Sequence, residues 1–262
     1  MLGKLIKYEI KSTLRIFLPV YGVIIGFTAT RLILDLLNIK LMFSDGLIIT
    51  TYVLMIIGTL ALTFIVGIQR FYKNILGTEG YLMNTLPVKA WQLVASKLIT
   101  SVGWLFLSII ISLASIMVQL EARGLLKGVW SGFVTLWNSV MLQFSWNSGL
   151  VIANIVLMVI VYACYAFLMI YCAMAIGHLF NGNRIIASFV SYIALYFTVQ
   201  VISVIVLSIY ALIFGGGLAF LNNADQTLAF ALVNIQLVET LIIGIGYYLA
   251  TNYIVKKRLN LE

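Results

Sequence analysis

The chain has little charge. Only 9% of its 262 residues are Asp, Glu, Lys or Arg, while 63% are hydrophobic and the mean hydropathy is +1.12. A water-soluble domain carries about 25% charged residues, so a soluble fold is excluded. Cysteine is almost missing. Cys164 and Cys172 stand eight residues apart, roughly 12 Å along a helix, too far to bridge. His178 is the only histidine. With no HExxH and no Cys/His cluster, the chain has no zinc site. It has no GxxxxGK[ST] phosphate loop, so it does not hydrolyse nucleotide by that route. One histidine and scattered acids do not supply the paired groups of an intramembrane protease. Intramembrane charge is too sparse for a proton or sodium relay, and no inverted repeat favours a secondary transporter. The expectation is no catalytic residue, no metal and no cofactor in this chain.

What is present is apolar length. At roughly 20 residues per span, six segments qualify, near 16–37, 47–69, 98–120, 150–176, 185–214 and 230–255. The expected fold is an all-α polytopic membrane protein, an N-terminal interfacial helix plus six transmembrane helices in one domain. Its parts are a surface helix at 1–15, spans one and two over 16–69, a cytoplasmic loop at 70–97, spans three to six over 98–255, and a cytoplasmic tail at 256–262. In the first part, Leu2, Leu5, Ile6, Ile10, Thr13, Leu14 and Phe17 recur at helical spacing, with Lys4, Lys7, Lys11 and Arg15 off the stripe. That pattern suits a helix lying among lipid headgroups, and Pro19 then marks the turn into the membrane. Between spans three and four, the outer region 121–147 places Trp130, Phe133, Trp137, Val140, Met141 and Phe144 on one helical face. It reads as an outer interfacial or re-entrant helix, with a seventh span as the alternative.

Within the spans a few residues stand out. Gly22 and Gly26 form a GxxxG step at which another helix can approach. Arg31 and Asp35, four apart, can pair on one helix face. Glu239 lies inside span six and needs a partner, water or a proton; Arg31, at similar depth, is a candidate, which would make Arg31, Asp35 and Glu239 one charge cluster. Ser101, Ser108, Ser112 and Ser115 give span three a small polar face suited to helix packing, with a translocation path as the alternative. Thr50, Thr51, Thr59 and Thr63 can bond back to their own helix.

The basic residues are unevenly placed. Of the 16 Lys and Arg, those at span ends on one side number twelve (Lys4, Lys7, Lys11, Arg15, Arg70, Lys73, Lys89, Lys97, Arg184, Lys256, Lys257 and Arg258), against Lys40, Arg123 and Lys127 on the other. The positive-inside rule then puts both termini in the cytoplasm, and the clustering is not the stripe of a nucleic-acid binder. The longest polar interruption, 70–97, holds four of these cations and one acid, Glu79. Thr78 suits a helix cap with Glu79 in the first turn; Thr85 and Pro87 suit the start of a second helix. Tyr81, Leu82, Met83 and Leu86 are apolar beside charge, a composition suited to a protein contact. The alternative is a loop anchored at the membrane surface by Tyr and Trp.

Three segments carry a resemblance: MLGKLIKYEIKSTLRIF, RFYKNILGTEGYLMNTLPVKAWQLVASKL and AIGHLFNGNRIIASF, with EGYLMNTLPV the most specific piece. They resemble the permease (transmembrane) subunits of type-2 ABC exporters of Gram-positive bacteria. The resemblance implies a single permease domain in the bacterial cytoplasmic membrane, exporting an amphiphilic substrate such as a peptide, lipid or antibiotic by alternating access. It implies that Thr78, Glu79, Gly80, Tyr81, Leu82, Met83 and Asn84 form the coupling helix on a separate ATPase. It further implies two ATPase copies, which carry the ATP and Mg, and a second permease chain, the same or homologous, among membrane lipids and without nucleic acid. The long Trp-rich outer region departs from that family's general pattern. The alternative function is a non-transporting membrane sensor or assembly scaffold using the same loop.

Overall fold

The computed structural model describes residues 2–37, 45–77, 88–144, 148–180, 182–214 and 226–257. Its helices are α1 (Leu2–Leu36), α2 (Asp45–Phe71), α3 (Ala90–Ala122), α4 (Leu126–Phe144), α5 (Ser148–Gly177), α6 (Arg184–Phe214) and α7 (Gln226–Lys257), and no strand occurs among the described residues. All except α4 contain a segment long and apolar enough to cross a membrane. Even the shortest of these, Ala231–Lys256 with 26 residues, extends about 39 Å at 1.5 Å per residue, more than a hydrocarbon core of about 30 Å. The chain is thus a multi-pass helical membrane protein. The outer region read as a helix does form one, α4, with Trp130 and Phe133 exposed and the rings of Trp130, Phe133 and Trp137 in series along one side.

Local chemistry sets several helix ends. α2 runs on into a π turn, Tyr72–Leu76, which Gly77 closes by donating its N–H to the Tyr72 carbonyl at 2.7 Å. α3 ends where Gly124 takes a φ of +68°. Gly124 N–H then reaches the Glu121 carbonyl and Leu125 N–H the Leu120 carbonyl, each at 2.9 Å, the bond pair of a Schellman cap.

The N-terminal region differs from the expected surface helix followed by a turn. α1 is one helix with Pro19 inside it. Pro19 removes the bond to the Arg15 carbonyl and crowds it, but packing holds the helix on both sides of that gap. The face it buries is Glu9, Thr13, Phe17, Tyr21, Ile24 and Thr28, whereas Ile10 and Leu14, on the stripe picked from the sequence, are exposed.

The chain divides into two compact units, Met1–Arg70 with Ala95–Trp137 and Phe71–Val94 with Asn138–Glu262. In the first, hydrogen bonds tie three helices in register. Trp104 Nε1 donates to Thr13 Oγ1 at 2.8 Å, the hydroxyls of Tyr21 and Ser108 are 2.8 Å apart, and those of Thr28 and Ser115 are 2.6 Å apart. Each α3 partner lies nearly the same number of residues beyond its α1 partner, so α1 and α3 run parallel. Thr63 meets Ser108 and Tyr52 meets Ser115, the reverse order, so α2 is antiparallel to both. Phe17, Tyr21, Val66 and Trp104 fill the core between these bonds. The serine face of α3 is therefore a packing face, with Ser101, Ser108, Ser112 and Ser115 all buried. Thr50, Thr51, Thr59 and Thr63 bond back to carbonyls four residues earlier, as expected.

In the second unit α5 packs against both α6 and α7. Asn154 Nδ2 donates to Asn234 Oδ1 at 2.6 Å, and the rings of Tyr165 and Tyr247 are 5.9 Å apart, an order that makes α5 and α7 parallel. The α5–α6 corner closes tightly. A Cβ at Gly177 would sit 2.6 Å from Ser188 Cα, whereas one at Gly103 would meet nothing within 4 Å. Because backbone cannot swing aside as a side chain can, Gly177→Ala should lose about 1–3 kcal/mol. Thermal unfolding in mild detergent checks this, with Gly103→Ala as a control that should show no loss, since Ala in an open helix interior is at least as stable as Gly.

Candidate functional site

The proposed coupling residues Thr78, Glu79, Gly80, Tyr81, Leu82, Met83 and Asn84 lie outside the described residues, as do Thr85, Leu86 and Pro87. The two flanks of that segment are described, and both belong to the second unit. On the incoming side Phe71, Asn74, Ile75 and Leu76 are buried. Phe71 stacks on Tyr171 of α5 with ring centroids 4.0 Å apart, and Tyr72 lies 5.3 Å from the His178 ring. On the outgoing side Leu93 and Val94 are buried. The Tyr248 hydroxyl of α7 donates to the Trp91 carbonyl at 2.9 Å. Lys89 N–H reaches Gln92 Oε1 at 3.3 Å, supporting the first turn of α3. The π turn on the incoming flank matters here, because such single turns concentrate at functional positions. It rotates the chain relative to an α-helix, so that Asn74, Ile75 and Leu76 can all be buried in succession.

His178 belongs to this mooring. Burial, then the Arg184 guanidinium, holds its pKa below the usual histidine value of 6.5, and its Nε2 is buried without a hydrogen-bond partner among the described residues. The fold therefore prefers neutral imidazole. Its unfolded chain takes up a proton as the pH falls below about 6.5, while the folded chain resists, so stability is full above that value and declines as pH falls toward the lower folded pKa. His178→Gln should flatten that decline. Unfolding temperatures measured from pH 7.5 down to pH 5.5 (roughly the range in which histidine titrates) test it, and parallel slopes in parent and variant would exclude the assignment.

Lys97, counted among the cations of the basic loop, is removed from that surface. It is buried in the first unit, where its Nζ donates to Glu9 Oε2 at 2.5 Å, with side-chain exposures of 4% and 8%. Glu9 Oε1 is buried without a hydrogen-bond partner among the described residues. Reading the sequence missed Glu9, although a signal was there. It precedes Thr13 by one helical turn on the side that turns inward, and an acid on an inward face requires a partner.

The other residues singled out fall as follows. Arg31 and Asp35 approach to 3.5 Å on α1, in the first unit. Glu239 is in the second unit, where its Oε1 accepts from the Ser203 hydroxyl at 2.6 Å. Gly22 and Gly26 are exposed, and a Cβ at either would meet nothing within 4 Å. Among the described residues no group of three or more His, Cys, Asp or Glu is placed to hold a metal ion. Comparison with protein-family models, characterised proteins and solved structures finds no match for this chain.

Proposed function

We propose that this chain is the transmembrane subunit of an ATP-driven exporter of the type-2 ABC kind, moving an amphiphilic substrate (a peptide, lipid or antibiotic) out of a bacterium by alternating access. The observation that carries the reading is the mooring of the basic loop. Both flanks of Thr78–Asn84 are built into the second unit, while most of α2 and α3, which lead into and out of it, belong to the first. A partner that displaced this segment would act on both units at once. That is what a coupling element has to do. The chain would bring no ATP or Mg site of its own; two ATPase copies would supply them. Both termini would be cytoplasmic, by a basic asymmetry of eleven to three with the buried Lys97 set aside, with Lys4, Lys7, Lys11 and Arg15 of α1 at the cytoplasmic headgroups. A second permease chain would complete the pathway, and the exposed face of α1 around Gly22 and Gly26 is open for helix approach.

Copurification tests the reading. The chain, extracted from its native membrane in mild detergent, should bring down a nucleotide-binding ATPase in equal number. A chain that purifies without one, from cells in which it is functional, would favour the sensor or scaffold reading instead.

A further inference from the structure

Among the described residues of its unit, the intramembrane carboxylate of Glu239 makes no ion pair. Glu239 of α7 lines a cavity of about 240 Å³ with Ser203 and Tyr210 of α6 and Gln236 of α7, under aliphatic walls that include Val206 and Leu232. Its Oε1 takes the Ser203 hydroxyl, which adds a dipole but no charge. The described cations on α6 and α7 stand far from it along their helices. Arg184 opens α6 nineteen residues before Ser203, and Lys256 and Lys257 end α7 seventeen and eighteen residues after Glu239. At 1.5 Å per residue each stands about 25–30 Å off along its helix. Lys73 and Lys89 lie on the loop flanks, at the His178 end of α5. Charge inside a bilayer is normally paired or faces a cavity. Among the described residues of the unit, Glu239 faces the Ser203 hydroxyl and the cavity.

The lining selects among cations. Ca²⁺ or Mg²⁺ wants six or more oxygen ligands, Zn²⁺ favours His or Cys ligands that this lining lacks, and the cavity offers a carboxylate, an amide and two hydroxyls, one of them donating to the carboxylate. A nitrogen cation needs fewer. Its N–H groups can reach the carboxylate and the Gln236 amide oxygen, and the aliphatic walls suit an apolar body. We infer that this cavity binds the cationic group of an amphiphile, an ammonium or guanidinium, with Glu239 as its counter-ion. That the bound amphiphile is the exported substrate rests on the exporter reading; the binding itself does not.

The test uses the full chain in nanodiscs of phosphatidylcholine, with octylamine carrying a diazirine as the photoreactive probe. Labelling should fall on peptides containing Ser203–Tyr210 and Leu232–Glu239, and octylamine should compete it away while octanol does not. Glu239→Gln should weaken competition by octylamine about tenfold or more, the scale of a lost hydrogen bond to a charged group. Glu239→Asp should retain part of it. Competition by octanol equal to that by octylamine, or undiminished labelling in Glu239→Gln, would make the cavity an acyl-chain pocket and overturn the inference. The comparison of amine with alcohol is made on the parent chain, so it decides the question even if Glu239→Gln does not fold. Selective labelling without a copurifying ATPase would keep the site and remove the exporter. An ATPase without selective labelling would do the reverse.

Discussion

Lys97→Met is expected to lower the stability of the folded chain by about 3–5 kcal/mol, the usual penalty for leaving one partner of a buried ion pair alone. Both side chains are nearly closed to solvent, so water cannot take the place of the ammonium group. Among the described residues one Glu9 oxygen has no hydrogen-bond partner, and the substitution would strip the other of its ammonium. Thr13 cannot step in, since its hydroxyl donates to the Glu9 backbone carbonyl and accepts from Trp104 Nε1. The double variant Glu9→Leu/Lys97→Met should recover most of the loss, because replacing a whole buried pair by apolar groups is often near neutral. A double-mutant cycle on unfolding free energies in detergent measures this. If Lys97→Met unfolds with the parent chain, the pair has no structural weight. The pair joins the first helix to the segment through which α3 leaves the basic loop. Its loss should therefore also weaken any coupling between ATP hydrolysis and transport, beyond what reduced stability explains.

The second large effect is expected in the loop itself. Leu82→Asp and Glu79→Arg should each reduce ATPase binding, or stimulation of the ATPase by substrate, at least tenfold, equivalent to about 1.4 kcal/mol. Aliphatic and aromatic anchors ringed by charge are how contact hot spots are built, and truncating one loses about 2 kcal/mol or more. Leu82 and its neighbours Tyr81 and Met83 have that composition, and Glu79 is the lone acid among four cations. Neither substitution falls within the six membrane-crossing segments, so insertion and unfolding temperature should stay as in the parent chain. That separates them from Lys97→Met, which acts through stability. Pull-down of the ATPase and substrate-stimulated hydrolysis are the measurements. Intact values in Leu82→Asp would leave the loop as a membrane-surface connector and remove the coupling hypothesis.

The helical membrane fold was legible without coordinates. Spans are written in local composition, because about 20 apolar residues in a row have no other low-energy home than a bilayer. The same holds for the threonines of α2, whose hydroxyls find a carbonyl one turn back regardless of what surrounds the helix. α4 was legible as a helix from its aromatic spacing, and the serine face of α3 as a packing face from its small residues. The segment proposed for coupling rests on composition and resemblance alone. Its flanks came from the tertiary structure, since nothing in Phe71 or Trp91 states that α5 and α7 supply their partners.

Where local reasoning fell short, the deciding contacts join residues far apart in the chain. Pro19 by itself reads as a break, and only the burial of Thr13, Phe17 and Tyr21 against Trp104 and Ser108 explains why α1 continues through it. Lys97 by itself reads as a loop cation, and only Glu9, 88 residues earlier, turns it into half of a buried pair. Glu239 was recognisable as a costly residue, but its neighbour Ser203 and the cavity beside it follow from how α6 lies against α7. The sequence by itself determined that the chain is helical, which segments are long and apolar enough to cross a membrane and where its charge collects, since hydropathy and helix periodicity act over a few turns. Which faces meet, which charges are buried and how the chain divides into two units were decided only by the tertiary structure, because burial is a property of two surfaces and a single helix carries just one of them.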